Sequence, residues 1–76
     1  MLRIQLDSTS LNTVRYLEPQ ALMELEFKSG EVYRYLGVPA ATYRGLLGAE
    51  SKGKYFNCQI RNRFSYTRIG KQRQTI

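Results

Sequence analysis

Residues 23–36 have the sequence MELEFKSGEVYRYL. Apolar Met23, Leu25 and Phe27 alternate with charged residues, which is the period of two expected of a strand with one buried face. After a Ser-Gly pair, the segment 31–36 has the same character. The two segments predict a β-hairpin, and its register decides which side chains reach the core.

The length of the hairpin loop fixes that register. A two-residue loop would place Arg34 among the apolar side chains of the first strand, where burial of its charge is costly. A three-residue loop ending at Gly30, in the left-handed conformation of a G1 bulge, instead aligns Arg34 with Glu24. We therefore predict the bulged hairpin, with Tyr33 and Tyr35 mainly in the core and their hydroxyls at the sheet margin.

Weaker strand and helix signals flank the hairpin. Alternating apolar residues predict an edge strand at the N-terminus and a second strand over residues 11–17. Pro39 fits the first turn of a helix that weakens near Gly48, and Ser51 is a suitable N-cap for a second helix. The apolar stripe of that second helix comprises Phe56, Ile60 and Phe64.

These elements predict a fold of the α+β class. We expect an antiparallel meander of three to four strands followed by two short C-terminal helices packed on one face. Residues 1–69 would form this domain, and residues 70–76, which show no periodicity, are expected to be a flexible basic tail. A chain of 76 residues has room for one such core and for no second domain.

The composition excludes several kinds of functional site. The sequence has no histidine, no tryptophan and one cysteine, Cys58. It therefore lacks the side chains for a Ser-His-Asp triad, a Cys-His pair, an internal disulfide or a His-containing zinc site. No apolar run approaches the roughly 20 residues of a membrane-spanning helix, and the N-terminus does not resemble a secretory signal. We expect a non-catalytic cytoplasmic protein with no cofactor, no metal and no membrane partner.

Positive charge is concentrated in the second half of the chain. Residues 1–38 contain four basic and five acidic side chains, whereas residues 39–76 contain eight basic side chains and one acidic one. Such asymmetry is typical of a protein that binds a polyanion, because each cation near a phosphate releases a counterion. It is equally compatible with a small domain that needs net charge, here +6, to stay in solution.

The segment 51–57 is the strongest candidate for a phosphate-binding site. If Ser51 caps a helix, the free amides of residues 52–54 point outward at the positive end of the helix dipole, and two lysines add charge. An exposed tyrosine on this surface could stack on a base. The candidate nucleic-acid or phosphate contacts are Ser51, Lys52, Gly53, Lys54, Tyr55, Arg61, Arg63, Tyr66 and Arg68.

A purely structural interpretation of the same segment stays open. Ser51 would then be only a cap, and Gly53 would relieve crowding against the hairpin. Phe56 would belong to the core in either case. These alternatives differ in whether the lysines contact a ligand or only the solvent.

Two further groups are expected at the surface. Cys58 lies on the exposed side of the second helix by its position on the helical wheel. Glu24 and Glu26 are two residues apart on one strand face, and without a pocket they are interpreted as solvated, with Glu24 pairing with Arg34. Neither group is expected to carry chemistry.

A series of short motifs runs through residues 8–69. The most distinctive is SKGKYFNCQIR at 51–61, and VYRYL at 32–36 contains a central YxY. Further members are Ser10-Leu11, Val14, Tyr16, 25–30, Val38-Pro39, Tyr43, Leu46-Leu47 and 64–66. In this order the motifs resemble the KTSC domain family. Two turns depart from the family pattern, because Leu17-Glu18 replaces an Asp-Pro and Phe64-Ser65-Tyr66 stands where Tyr-Pro-Tyr is common.

The resemblance implies a module that occurs alone in bacterial and phage proteins and at the C-terminus of some bacterial lysyl-tRNA synthetases. It implies no catalytic residues, and the synthetase association suggests RNA binding. We therefore predict a non-catalytic module that binds RNA, or another nucleic acid, through phosphate contacts from a basic helix face with little base readout. The alternative is a protein-interaction module whose basic helix docks on an acidic partner.

Overall fold

The computed structural model describes residues 3–71, which form one antiparallel sheet with helices packed on one face. The elements follow in the order β1 (Ile4–Gln5), β2 (Leu11–Leu17), β3 (Leu22–Phe27), β4 (Glu31–Leu36), α1 (Ala40–Gly48), α2 (Lys52–Tyr55), a π-helical turn (Phe56–Ile60) and β5 (Tyr66–Lys71). The order of strands in the sheet is the same as their order along the chain. The predicted α+β class is confirmed.

The hairpin between β3 and β4 has the predicted bulged register. Glu24 lies opposite Arg34, and Leu25 lies opposite Tyr33. Gly30 has a φ of 96°, the left-handed conformation that the three-residue loop requires, and its N–H donates to the carbonyl of Phe27 at 2.8 Å. The hairpin thus turns the β4 tyrosines toward the helices.

β5 was not predicted, and it makes the sheet five-stranded. It pairs with β4, with Tyr66 opposite Tyr35 and Thr67 opposite Arg34. Because side chains from Tyr66 to Ile69 are exposed, this strand has no period-two pattern, and it forms through main-chain hydrogen bonds to the edge of β4. The predicted tail began at Gly70, but Gly70 and Lys71 are the last residues of β5, and residues 72–76 lie outside the described chain.

The helices close the core over the β2–β4 face. α1 begins after Pro39 and ends at Gly48, as predicted. In the second helix, α-helical geometry ends at Tyr55, and the chain continues as a π-helical turn in which the Arg61 N–H donates to the Phe56 carbonyl at 2.8 Å. Phe64 therefore lies beyond the helix, where it packs at the margin of the core. Side chains with no solvent exposure are Leu11, Val14, Met23, Leu25, Val38, Leu46 and Ile60.

The other face of the sheet carries a buried charge, and here the prediction of a solvated surface is wrong. Glu24 is only 3% exposed and Glu26 only 7%. The Nη2 atoms of Arg3, Arg15 and Arg34 lie 3.0, 3.4 and 3.2 Å from the Glu24 carboxylate oxygens. Glu26 accepts hydrogen bonds from two β2 side chains. The expected pair between Glu24 and Arg34 is present as one part of this arginine cluster.

Candidate nucleic-acid interface

Ser51 begins α2 as the predicted cap. Its Oγ accepts a hydrogen bond from the Lys54 N–H at 3.3 Å, so that amide is satisfied within the protein. The Lys52 ammonium turns back and donates to the Ala49 carbonyl at 2.9 Å. Since α2 has only four residues, its dipole is too small to form an anion site by itself. Of the two lysines in the segment 51–57, Lys54 is exposed to the solvent, whereas Lys52 is half-buried.

Gly53 has a packing role that its sequence position only partly indicated. A Cβ atom at this position would lie 2.8 Å from the Ser10 Oγ, just before β2. The glycine therefore relieves crowding against Ser10, and not against the β3–β4 hairpin. It also lines the cleft described below.

Tyr55 was expected to be exposed and able to stack on a base, and the structure contradicts this. Its side chain is half-buried over Gly45, and its hydroxyl donates to the Thr42 carbonyl at 3.0 Å. The tyrosine therefore fastens α2 to α1. The position of Tyr55 outside the apolar stripe of the second helix did not indicate this contact, because the space that its ring occupies is left by Gly45 on α1.

Arg61 and Arg63 are exposed and anchored only by neutral acceptors. The Arg63 Nε donates to the Cys58 carbonyl at 2.8 Å, and an Arg61 Nη1 lies 3.5 Å from the Asn57 Oδ1. Cys58 is exposed, as predicted. We call Lys52, Lys54, Arg61 and Arg63 the basic segment. Among residues 3–71, none of these four cations forms an ion pair.

Arg68 stands apart from the basic segment. It lies on β5, opposite Tyr33, and its Nη2 is 3.4 Å from the Glu31 carboxylate. Tyr66, on the same strand, is exposed as predicted and lies in a different setting from Tyr55. The predicted site residues thus divide into a helix cap, a packing glycine, a tyrosine that joins two helices, an exposed tyrosine, a paired arginine and the four residues of the basic segment.

A cleft of about 380 Å³ brings Gly53, Arg61 and Tyr66 together. It runs between the segment 53–62 and strands β4 and β5, and the sequence analysis missed it. Its aromatic wall comprises Phe27, Tyr33, Tyr35, Phe56 and Tyr66, and its polar rim includes Asn57, Arg61 and Asn62. The YxY motif and the nearby arginine are the signals that could have indicated it. The cleft needs β5 to complete it, and β5 was not foreseen.

Packing between rings holds the aromatic wall in place. The Tyr66 ring centroid is 5.5 Å from those of both Tyr33 and Tyr35, with planes tilted by 50° and 34°. Phe56 meets Tyr35 edge-on at 5.7 Å. Tyr35 is buried, as predicted, whereas Tyr66 is 56% exposed. The wall therefore has a fixed inner part and one accessible ring.

The Tyr35 hydroxyl lies in a setting that favours its neutral form. The pKa of Tyr35 is raised to about 12, mainly by burial and also by the nearby Tyr33 and Tyr66 hydroxyls, while the Arg61 guanidinium acts in the opposite direction. An unfolded tyrosine has a pKa near 10, so the folded state holds this proton more tightly. At neutral pH the group is a hydrogen-bond donor at the floor of the cleft.

This shift predicts a loss of stability at alkaline pH. The stabilisation is complete below pH 10 and disappears as the pH rises through 12, because the unfolded chain loses the proton first. We expect the free energy of unfolding to fall by about 1–2 kcal/mol over this range, after allowance for solvent at the open side of the cleft. Urea denaturation at successive pH values measures it. Tyr35→Phe should remove this part of the decline, and an identical alkaline profile for the variant would contradict the assignment.

The described part of the chain lacks two other kinds of site. Among residues 3–71, no three histidine, cysteine, aspartate or glutamate side chains are placed to hold a metal ion. None of the helices between these residues is long and apolar enough to cross a membrane.

The fold and cleft define a class of small α+β module, a five-stranded antiparallel sheet covered on one face by short helices. The model of one such family, the KTSC domain, matches residues 7–64. The chain belongs to the KTSC domain family, as its motifs predicted. A crystal structure of a KTSC domain protein from Yersinia pestis superimposes with a TM-score of 0.87 at 29% identity, covering 91% of this chain and 97% of that one.

Relatives in sequence are of two kinds. An uncharacterized protein of Stutzerimonas stutzeri is 44% identical over 57 residues, which are 75% of this chain and 80% of that protein. A lysine–tRNA ligase of Trichormus variabilis is 33% identical over 63 residues, which are 83% of this chain but 11% of the ligase. The domain is thus similar both to a protein of its own size and to a small part of a much larger enzyme.

Proposed function

We propose that this domain is a cytoplasmic, non-catalytic module that binds RNA, or another nucleic acid, through phosphate contacts from the basic segment. The observation that carries the proposal is a difference between the two sides of the sheet. The arginines of the far face converge on Glu24, whereas the basic segment has no carboxylate partner among the described residues.

Cations without a carboxylate partner favour a polyanionic ligand. When a basic side chain contacts a phosphate of a nucleic acid, it displaces counterions that were condensed around the nucleic acid. The release of these counterions favours association. Arg61 and Arg63 add the fork geometry that contacts two oxygens of one phosphate. The similarity to part of a lysine–tRNA ligase supports RNA as the polyanion, since the named substrate of that enzyme is an RNA.

We predict that Arg61→Gln combined with Arg63→Gln weakens RNA binding about tenfold, because two phosphate contacts are lost. Binding is measured by fluorescence anisotropy with a labelled single-stranded RNA of about 12 nucleotides. The slope of log affinity against log salt should also fall by about 1.4, at roughly 0.7 for each contact to a single strand.

The control variant combines Lys28→Gln with Arg44→Gln. It removes the same net charge from two exposed side chains outside the basic segment. If both variants lose affinity equally, the attraction is a property of net charge and the assignment of the basic segment is wrong. If no RNA or DNA binds but an acidic peptide does, the domain is a protein-interaction module instead.

A further inference from the structure

We infer that the cleft holds one unstacked base of the bound strand, with Tyr66 as the stacking surface and Arg61 on the phosphate of the same nucleotide. The inference deepens the proposed function and rests on it. It gives a function to the aromatic wall of the cleft, which the phosphate contacts of the basic segment do not involve.

The exposed ring of Tyr66 is the first reason. Its inner side rests on Tyr33 and Tyr35, at 5.5 Å from each, and more than half of its surface is open. A ring held in this way loses little further freedom when a flat ligand stacks on it. Base stacking on such a side chain is worth about 1–3 kcal/mol and tolerates any base.

Unused polar groups inside the cleft are the second reason. Within residues 3–71, the hydroxyls of Tyr33, Tyr35 and Tyr66 make no hydrogen bond, whereas those of Tyr16 and Tyr55 donate to backbone carbonyls. The Asn62 amide at the rim can both donate and accept. These groups match the mixed donors and acceptors on the edge of a base, and an apolar peptide side chain would leave them unsatisfied.

The size and the charge of the cleft indicate which kind of ligand it binds. At about 380 Å³ the cleft is at the small end of the roughly 300–1,000 Å³ typical of ligand pockets, so it suits one flat ring system and not a helix. Arg61 follows the π-helical turn, which places it and Asn57 on the rim. Among residues 3–71, the only carboxylate that lines the cleft belongs to Glu31, which already pairs with Arg68. The rim of the cleft, with Arg61 unpaired among the described residues and Glu31 paired, therefore favours a negatively charged ligand.

The test uses single-stranded RNA that carries 2-aminopurine, and a matched oligonucleotide of the same length whose sugars lack bases. Since the chain has no tryptophan, 2-aminopurine can be excited without interference from the protein. We expect its fluorescence to be quenched on binding, and the abasic strand to bind about tenfold more weakly.

Variants assign the effect to the cleft. Tyr66→Ala should abolish the quenching and weaken the base-bearing RNA about tenfold, while leaving the abasic strand unaffected. Tyr66→Leu, which keeps an apolar side chain of some bulk on the strand, should behave in the same way, and unchanged binding of the abasic strand by both variants excludes a folding defect. Ile69→Ala is the control, because Ile69 is exposed on the same strand and does not line the cleft.

The outcomes separate the two proposals. If base-bearing and abasic strands bind equally, or if Tyr66→Ala leaves the quenching unchanged, the base site is wrong and phosphate binding by the basic segment stands. If neither strand binds, both proposals are wrong. If base-bearing RNA binds through Tyr66 and the arginine variant has no effect, the stacking site stands, but the basic segment and the placement of Arg61 on the phosphate are wrong.

Discussion

Replacement of Glu24 by Gln is expected to lower the free energy of unfolding by about 3 kcal/mol. Glu24 is buried and, within residues 3–71, is the one carboxylate that pairs with Arg3, Arg15 and Arg34, whose closest atoms lie 3.0–3.4 Å away. The glutamine keeps the shape of the side chain but removes the charge that holds three guanidinium groups together. Within the described residues, the Nε atoms of Arg15 and Arg34 already lack partners, so loss of the Glu24 charge removes a main acceptor of these two guanidinium groups, whereas Arg3 also donates to the Thr13 Oγ1 at 3.1 Å.

Urea denaturation of the variant measures this loss, with Glu31→Gln as the matched control. The pair of Glu31 with Arg68 has a similar length, 3.4 Å, but both side chains are substantially exposed. We expect the control to change stability by about 0.5 kcal/mol or less. Added salt should reduce the cost of Glu24→Gln, because it screens the repulsion among the arginines. Equal, small effects of both substitutions would contradict a structural role for the buried charge.

Features fixed by neighbouring residues could be predicted from the sequence. The register of the β3–β4 hairpin could be predicted for two reasons. The alternative register would place Arg34 among apolar side chains, and Gly30 permits the bulge that the observed register requires. Ser51 as a cap and Gly48 as a helix end are equally local. In each case the deciding interaction lies within a few residues or across one hairpin.

Features that depend on distant segments could not be predicted. Burial of Glu24 requires arginines from three separate parts of the chain, and the hairpin register indicated only Arg34, while Arg3 and Arg15 gave no local signal. β5 forms by main-chain pairing with β4, and its exposed side chains show no alternation. The cleft was missed for the same reason, since it exists only where Tyr66 of β5 meets Tyr33 and Tyr35 of β4.

The structure also changes the meaning of the charge distribution. The first half of the chain is close to neutral in composition, and three of its four basic residues pair with one buried glutamate. The second half supplies the basic segment, which has no such partner in the described residues. Charge count alone left polyanion binding and solubility equally open, whereas the pattern of ion pairs supports the first.

Gly45→Ala is expected to lower the free energy of unfolding by about 2–3 kcal/mol, although alanine is the better helix former. A Cβ atom at this position would overlap the Tyr55 hydroxyl and lie 2.7 Å from its Cζ. The ring must move, which breaks its hydrogen bond to the Thr42 carbonyl and opens the contact between α1 and α2. This cost exceeds the gain of about 1 kcal/mol from helix propensity.

Gly48→Ala separates the overlap from the propensity effect. Gly48 is on the same helix, and a Cβ atom there would meet nothing within 4 Å, so this substitution should leave stability unchanged or raise it by up to about 1 kcal/mol. Combining Gly45→Ala with Tyr55→Phe, which removes the closest overlapping atom, should cost less than the sum of the two single changes. Strict additivity would show that the destabilisation does not act through Tyr55.

Because Tyr55 directly precedes the π-helical turn that leads to Arg61, Gly45→Ala should also weaken RNA binding in protein that is still folded. Unchanged binding alongside lost stability would limit the role of Tyr55 to holding the two helices together.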